Sequence, residues 1–178
     1  TGNRCERCFS NNSDIQHKGE NRINEQLRFL FERNTEPEGK PILTYGIPRC
    51  LNMYENFPFW CAFLTLCGFR VVLSSASNFR LYEKGVSTVM SENICFPAKV
   101  AHGYIFDLVA KEVDRIFYPT VVYEQEEYED ALNSYNCPVV TGYPDLLRSA
   151  VDPERKFGIP LDSPAVSLKD FNLLKDQL

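Results

Sequence analysis

Apolar residues recur along this chain at two spacings. Ile23, Leu27, Leu30 and Phe31 fall three and four apart and form one stripe, which predicts a short amphipathic helix inside a polar opening segment. Glu36-Pro-Glu-Gly-Lys-Pro41 then punctuates the chain. Residues 1–40 therefore read as an N-terminal arm or linker, an entry segment and not a core, and 41–178 as the folded domain. Beyond that point short apolar runs alternate with amphipathic stretches. Ile42 to Ile47 predicts a strand that ends in Gly46-Ile-Pro-Arg49, and Phe59 to Leu66 a helix with Trp60, Phe63, Leu64 and Cys67 on one face. Arg70 to Ser75 predicts a second strand and Asn78 to Lys84 a short helix before Gly85. Pro97 opens a helix through about Val113 whose apolar face carries Ala101, Tyr104, Ile105 and Leu108. Ile116 to Val122 predicts a third strand, cut short by Pro119. Pro138 to Thr141 predicts a fourth strand, Pro144 to Val151 a helix, Phe157 to Pro160 a fifth strand, and Leu168 to Leu178 a closing helix.

Strands and helices alternating at these lengths imply right-handed crossovers and helices on both faces of the sheet. The expected fold class is α/β: a three-layer, mostly parallel Rossmann- or flavodoxin-like sheet plus the N-terminal arm. Ligands in such folds sit beyond the carboxyl ends of the strands.

Composition narrows the function classes. The 178 residues carry 19 basic and 24 acidic side chains, a formal charge of −5, and 44% are hydrophobic. A domain of that size buries roughly 70% of its unfolded surface, so a full core is available. With no long Lys/Arg cluster, neither nucleic acid nor a membrane surface is an expected partner. The longest apolar run, near Phe57 to Phe69, is broken by Pro58 and Gly68 and is too short to cross ~30 Å of hydrocarbon. The chain opens Thr-Gly-Asn-Arg-Cys with no apolar leader, and reads as an excised piece of a larger multidomain, cytoplasmic protein.

Seven cysteines change the picture. An odd number at uneven spacing argues against a closed disulfide framework and for a reduced chain whose thiols are core filler or metal ligands. Cys61 and Cys67 lie in the most aromatic helix and read as packing; Cys50 is ambiguous. Cys5-Glu-Arg-Cys8 is a single C-x-x-C pair without the second pair a zinc knuckle needs. Cys95, in Ser91-Glu-Asn-Ile-Cys-Phe-Pro-Ala-Lys99, precedes a helix N-terminus whose free amides suit an anionic thiolate cluster. Cys137, in Tyr135-Asn-Cys-Pro138, is placed at a loop-to-strand junction. Both occupy loops, where function concentrates.

Other signatures are missing. The sequence lacks Gly-x-Gly-x-x-Gly, Gly-x-x-x-x-Gly-Lys-Ser/Thr and Gly-x-Ser-x-Gly, so it is not expected to be an ATPase by itself. The two histidines are His17 in the arm and His102 within the Pro97 helix. A Cys95/His102 nucleophile and base is disfavoured because the helix carries His102 more than a turn away; packing beside Gly103 is the favoured role. Glu124 to Asp130 reads as a solvated acidic stretch, without the Gly-punctuated ladder of a calcium loop.

Four segments in order carry a family resemblance: Gly46-Ile-Pro-Arg-Cys-Leu-Asn-Met-Tyr-Glu-Asn-Phe-Pro-Phe-Trp60, Ser91 to Gly103, Ile116-Phe-Tyr-Pro119 and Tyr135-Asn-Cys-Pro138. From about Pro41 onward the chain resembles the 2-hydroxyacyl-CoA dehydratase component-like domain of long bacterial and archaeal CoA-substrate-specific enzyme activase proteins. The opening Thr1 to Cys8 resembles the segment before that domain, where sugar-kinase-like ATPase domains come first. The resemblance implies the first α/β domain of an iron–sulfur electron-transfer or reductase component, working with an ATP-dependent activator. It implies an iron–sulfur cluster in the full-length protein, with Cys95 and Cys137 as two of three thiolate ligands and the third downstream; Cys50 stands where relatives carry an aliphatic residue. Lys99 is a candidate phosphate contact at a helix opening, and His102 is grouped with it as a candidate cofactor contact. No residue is assigned a catalytic role. Partners implied are the ATPase activator domains of the same longer protein and an acyl-CoA substrate, with a homodimer left open. The alternative is a regulatory or docking domain that keeps the fold without a cluster.

Overall fold

The structure is a computed structural model that describes residues 22–128 and 130–177. The Cys5/Cys8 pair and His17 lie outside the described residues. Helix α1 (Ile23–Phe31) leads into strand β1 (Thr44–Ile47), helix α2 (Met53–Leu66) and strand β2 (Arg70–Leu73). Helix α3 (Phe79–Gly85) and a 3-10 turn over Val86–Thr88 precede helix α4 (Phe96–Ala110) and strands β3 (Arg115–Phe117) and β4 (Thr120–Val121). Helices α5 (Pro138–Val151) and α6 (Pro153–Phe157), strands β5 (Leu161–Asp162) and β6 (Ala165–Val166) and helix α7 (Phe171–Gln177) complete the order.

The main sheet runs β2-β1-β3-β5 and is parallel throughout. Its register pairs Thr44 with Arg70, Tyr45 with Arg115 and Ile116 with Leu161. The chain steps from β1 to β2, then back across β1 to β3 and on to β5. Right-handed crossovers then put α2 on one face and α3, α4 and α5 on the other, and α1 packs on α2 while α4 packs on α3 and α5. This is the expected three-layer α/β sheet. A second parallel pair, β4 with β6, prolongs β3 and β5 beyond Pro119 and Pro164.

The core forms where the sequence placed its apolar faces. Ile47, Phe57, Trp60, Ile105, Leu108 and Ile116 are fully buried, each worth roughly 1.5–3 kcal/mol of removed apolar surface. Gly46 lets α4 close onto the sheet, since a Cβ there would stand 3.0 Å from Leu108 and Val113. Phe31 is buried against Tyr54 and Phe57, so the helix of the arm contributes a core residue.

Several boundaries differ from expectation. Pro138 to Thr141 is the first turn of α5 and not a strand: Pro at N1 lacks only an amide that a helix start leaves unpaired, and this outweighs the β preference of Val139 and Val140. Helix α2 starts at Met53, six residues before Phe59, because Pro58 is carried inside the helix near its start. Phe157 ends α6, Gly158 turns the chain at φ 73°, and the fifth strand begins only at Leu161. Pro119 splits the third strand into β3 and β4. Cys67, expected to pack, is exposed at the end of α2, whereas Cys61 is buried.

Candidate functional site

Every parallel strand ends at one edge of the sheet, and the loops leaving it carry the chemistry-bearing residues. After β1 the chain runs Pro48-Arg49-Cys50-Leu51-Asn52 into α2. Leu51 holds a left-handed backbone at φ 48°, an uncommon conformation for a bulky side chain. The Arg49 amide donates to Ser74 Oγ at 2.7 Å, joining this loop to the one after β2. The Ser75 amide donates to Asp107 Oδ2 at 2.7 Å, and Lys111 pairs with the same oxygen at 3.1 Å. Burial alone would raise the Asp107 pKa, but the Ser75 bonds and Lys111 outweigh it and hold the carboxyl below its ordinary value. The β2 loop is thus fastened to α4.

These loops and the first turns of α4 enclose a cleft of about 370 Å³. Arg49, Ser77, Tyr54 and Tyr104 supply its polar groups, and Leu51, Phe96, Pro97 and Val100 much of its apolar wall. The Arg49 guanidinium lies over the Phe31 ring, 4.0 Å from the centroid. Its Nε is buried without a hydrogen-bond partner. Tyr104 is buried beside Ser77 and Tyr54, and burial raises its pKa, so it stays a neutral phenol.

Under the same edge lies a set of polar groups sealed from water. Burial pushes the Cys50 thiol up to about 12, opposed in part by the nearby Tyr118 hydroxyl, whose oxygen has no hydrogen-bond partner among the described residues. Cys50 is therefore a protonated internal thiol, the structural role the resemblance implied. Tyr118 is fully buried, and burial together with Cys50 raises its pKa well above the ordinary phenol value. His102 is fully buried too. Its Nδ1 lies 2.8 Å from Thr88 Oγ1 and its Nε2 3.0 Å from Tyr143 Oη, and burial lowers its pKa to about 4. Both ring nitrogens of this proposed cofactor contact are already committed inside the protein. The role beside Gly103 is the one the structure displays, because Gly103 packs directly on the Leu81 carbonyl.

The two loop thiols sit at this edge. Cys95 is the N-cap of α4, followed within two residues by Pro97, and Cys137 is the N-cap of α5, followed at once by Pro138. Both are free and exposed. The junction expected at Cys137 was loop to strand; it is loop to helix, which gives the two thiols equivalent positions on two helices that pack together. Lys99, in the first turn of α4, donates from Nζ to the Glu92 carbonyl at 2.7 Å and so ties down the loop ahead of Cys95.

An anionic cluster would suit such positions, because the amides and dipole ends of α4 and α5 favour negative charge. The thiolate set is incomplete, however. Among the described residues no group of three or more His, Cys, Asp or Glu side chains could hold a metal ion. Sequence reasoning did not single out Arg49, Ser77, Tyr118 or Tyr143. The first two stand directly beyond strand ends, a locatable signal; the tyrosines are brought in by packing. Among the described residues no helix is long and apolar enough to cross a membrane.

The family model described as the CoA enzyme activase uncharacterised domain matches residues 44–178, from the first residue of β1 onward. No curated protein matches the chain.

Proposed function

The chain belongs to the CoA enzyme activase uncharacterised domain family, and from that premise we propose that it is the first α/β domain of an iron–sulfur electron-transfer or reductase component that works with an ATP-dependent activator. One observation carries this reading: Cys95 and Cys137, both free and exposed, each cap a long helix at the carboxyl-end edge of one sheet. They would hold the cluster together with at least one ligand from beyond the described residues. A bound cluster supplies one-electron chemistry at a potential set by its charge, hydrogen bonding and exposure. The chain's own part is positional. Thr88, His102 and Tyr143 bond α5 to the α3–α4 unit and fix the spacing of the two caps. Lys99 holds the loop in front of Cys95.

The alternative, a regulatory or docking domain without a cluster, draws its support from the incomplete ligand set. Anaerobic reconstitution of the longer protein with iron and sulfide separates the two. The expected result is visible charge-transfer absorption that is lost in the Cys95→Ala, Cys137→Ala double variant and unchanged in Cys67→Ala. Absorption that survives the double substitution would sink the cluster reading.

A further inference from the structure

The cleft between the β1–α2 loop and α4 has no part in the cluster reading, and its electrostatics are unbalanced. Arg49 brings a guanidinium cation to it. Among the described residues no carboxylate lies within ion-pair distance of its guanidinium, while its Nε is shielded from water without a partner. A half-buried cation in that state is costly unless something compensates it. The Phe31 ring offers only part of that compensation. Ser77, Tyr54 and Tyr104, each with a hydroxyl group, line the same space, and the rest of its wall is mostly aromatic and aliphatic. A volume of about 370 Å³ is at the small end of ligand sites.

We propose that this cleft is a binding site for a small oxyanion carried on an apolar group, a carboxylate or a phosphate monoester, with Arg49 pairing the anion, Ser77 and Tyr104 donating hydrogen bonds, and Phe96 and Tyr54 covering the apolar part. The proposal is independent of the cluster, since none of these side chains is a metal ligand. Burial keeps the Tyr104 phenol protonated, which preserves it as a donor. The cleft also sits at the carboxyl edge of the strands, where parallel α/β sheets place their ligands.

The test is a titration of the iron-free chain, labelled with nitrogen-15, with benzoate, phenyl phosphate and neutral benzamide. Backbone signals of residues 49–51, 77 and 96–100 and the Arg49 Nε–H signal are followed. At least one anion is expected to saturate those signals and benzamide to bind about tenfold more weakly or worse, the usual worth of a charge-assisted hydrogen bond. Whichever anion binds better identifies the headgroup. Arg49→Gln is expected to weaken the anion by about tenfold and leave benzamide unchanged. Equal binding of benzamide, shifts located elsewhere, no saturation by either anion, or undiminished binding in Arg49→Gln would overturn the proposal. Should that variant fail to fold, the comparison of benzoate and phenyl phosphate with benzamide on the unaltered chain still decides.

Discussion

His102 shows how a residue that looks chemical can be structural. Its imidazole is neutral in the fold because burial lowers its pKa from 6.5 to about 4. Above pH 6.5 neither the folded nor the unfolded chain protonates it, and it adds no pH dependence. As pH falls from 6.5 towards 4 the unfolded chain takes up a proton that the folded chain refuses, so stability declines across that window, by roughly 3 kcal/mol in all. Urea denaturation of His102→Gln against the parent chain at several pH values checks this. The variant is expected to lack that fall between 6.5 and 4, and an identical pH profile would remove His102 as its source. Subtracting the variant also separates this effect from Asp107, whose depressed carboxyl loses its contribution on acidification as well. The sequence displayed the histidine and even its glycine neighbour. Its two partners, Thr88 and Tyr143, lie 14 and 41 residues away, so no local pattern could name them.

At the scale of elements, glycine decides which helices touch. A Cβ on Gly103 would strike the Leu81 carbonyl, and one on Gly85 would strike the Gly103 amide, so α3 and α4 meet backbone to backbone. Gly103→Ala is expected to cost about 3 kcal/mol, the upper part of the usual overpacking range, because backbone must give way. Gly142, inside α5, has nothing within 4 Å of the position a Cβ would take. Gly142→Ala is expected to stabilise by about 0.5–1 kcal/mol through helix propensity alone. Chemical denaturation midpoints of the two variants should move in opposite directions; a rise in both would show that helix propensity and not clearance governs them, and a fall in both would refute the Gly142 prediction. Helix α5 also marks the limit of periodicity. Pro-Val-Val-Thr reads as strand over four residues, whereas Tyr143, Leu147 and Val151 show the helical face only over fourteen.

For the whole molecule, the reversal of direction after β2 matters most. It gathers the ends of β1, β2 and β3 and the starts of α4 and α5 at one edge, and so assembles the Arg49 cleft and the two cap thiols from segments up to 88 residues apart in Arg49 to Cys137. On the proposed reading, in which the third thiolate comes from a longer activase protein, the 178-residue chain alone is expected to bind less than one full cluster equivalent of iron after anaerobic reconstitution, with more in that longer protein. Iron and sulfide analysis of both decides it, and a full cluster in the isolated chain would refute a ligand from outside. What the sequence determined by itself was the α/β class, a mostly parallel sheet, the segments that match the family, and the identity of every thiol, because these follow from hydrophobic period, punctuation and residue type. The tertiary structure decided which cysteine is sealed and which is open, that Cys137 caps a helix, that His102 has no free nitrogen, and that Arg49 stands without a described carboxylate. Apart from the Cys137 cap, which Pro138 sets locally, each depends on contacts between residues far apart in the chain, which a periodicity of two or 3.6 residues cannot encode.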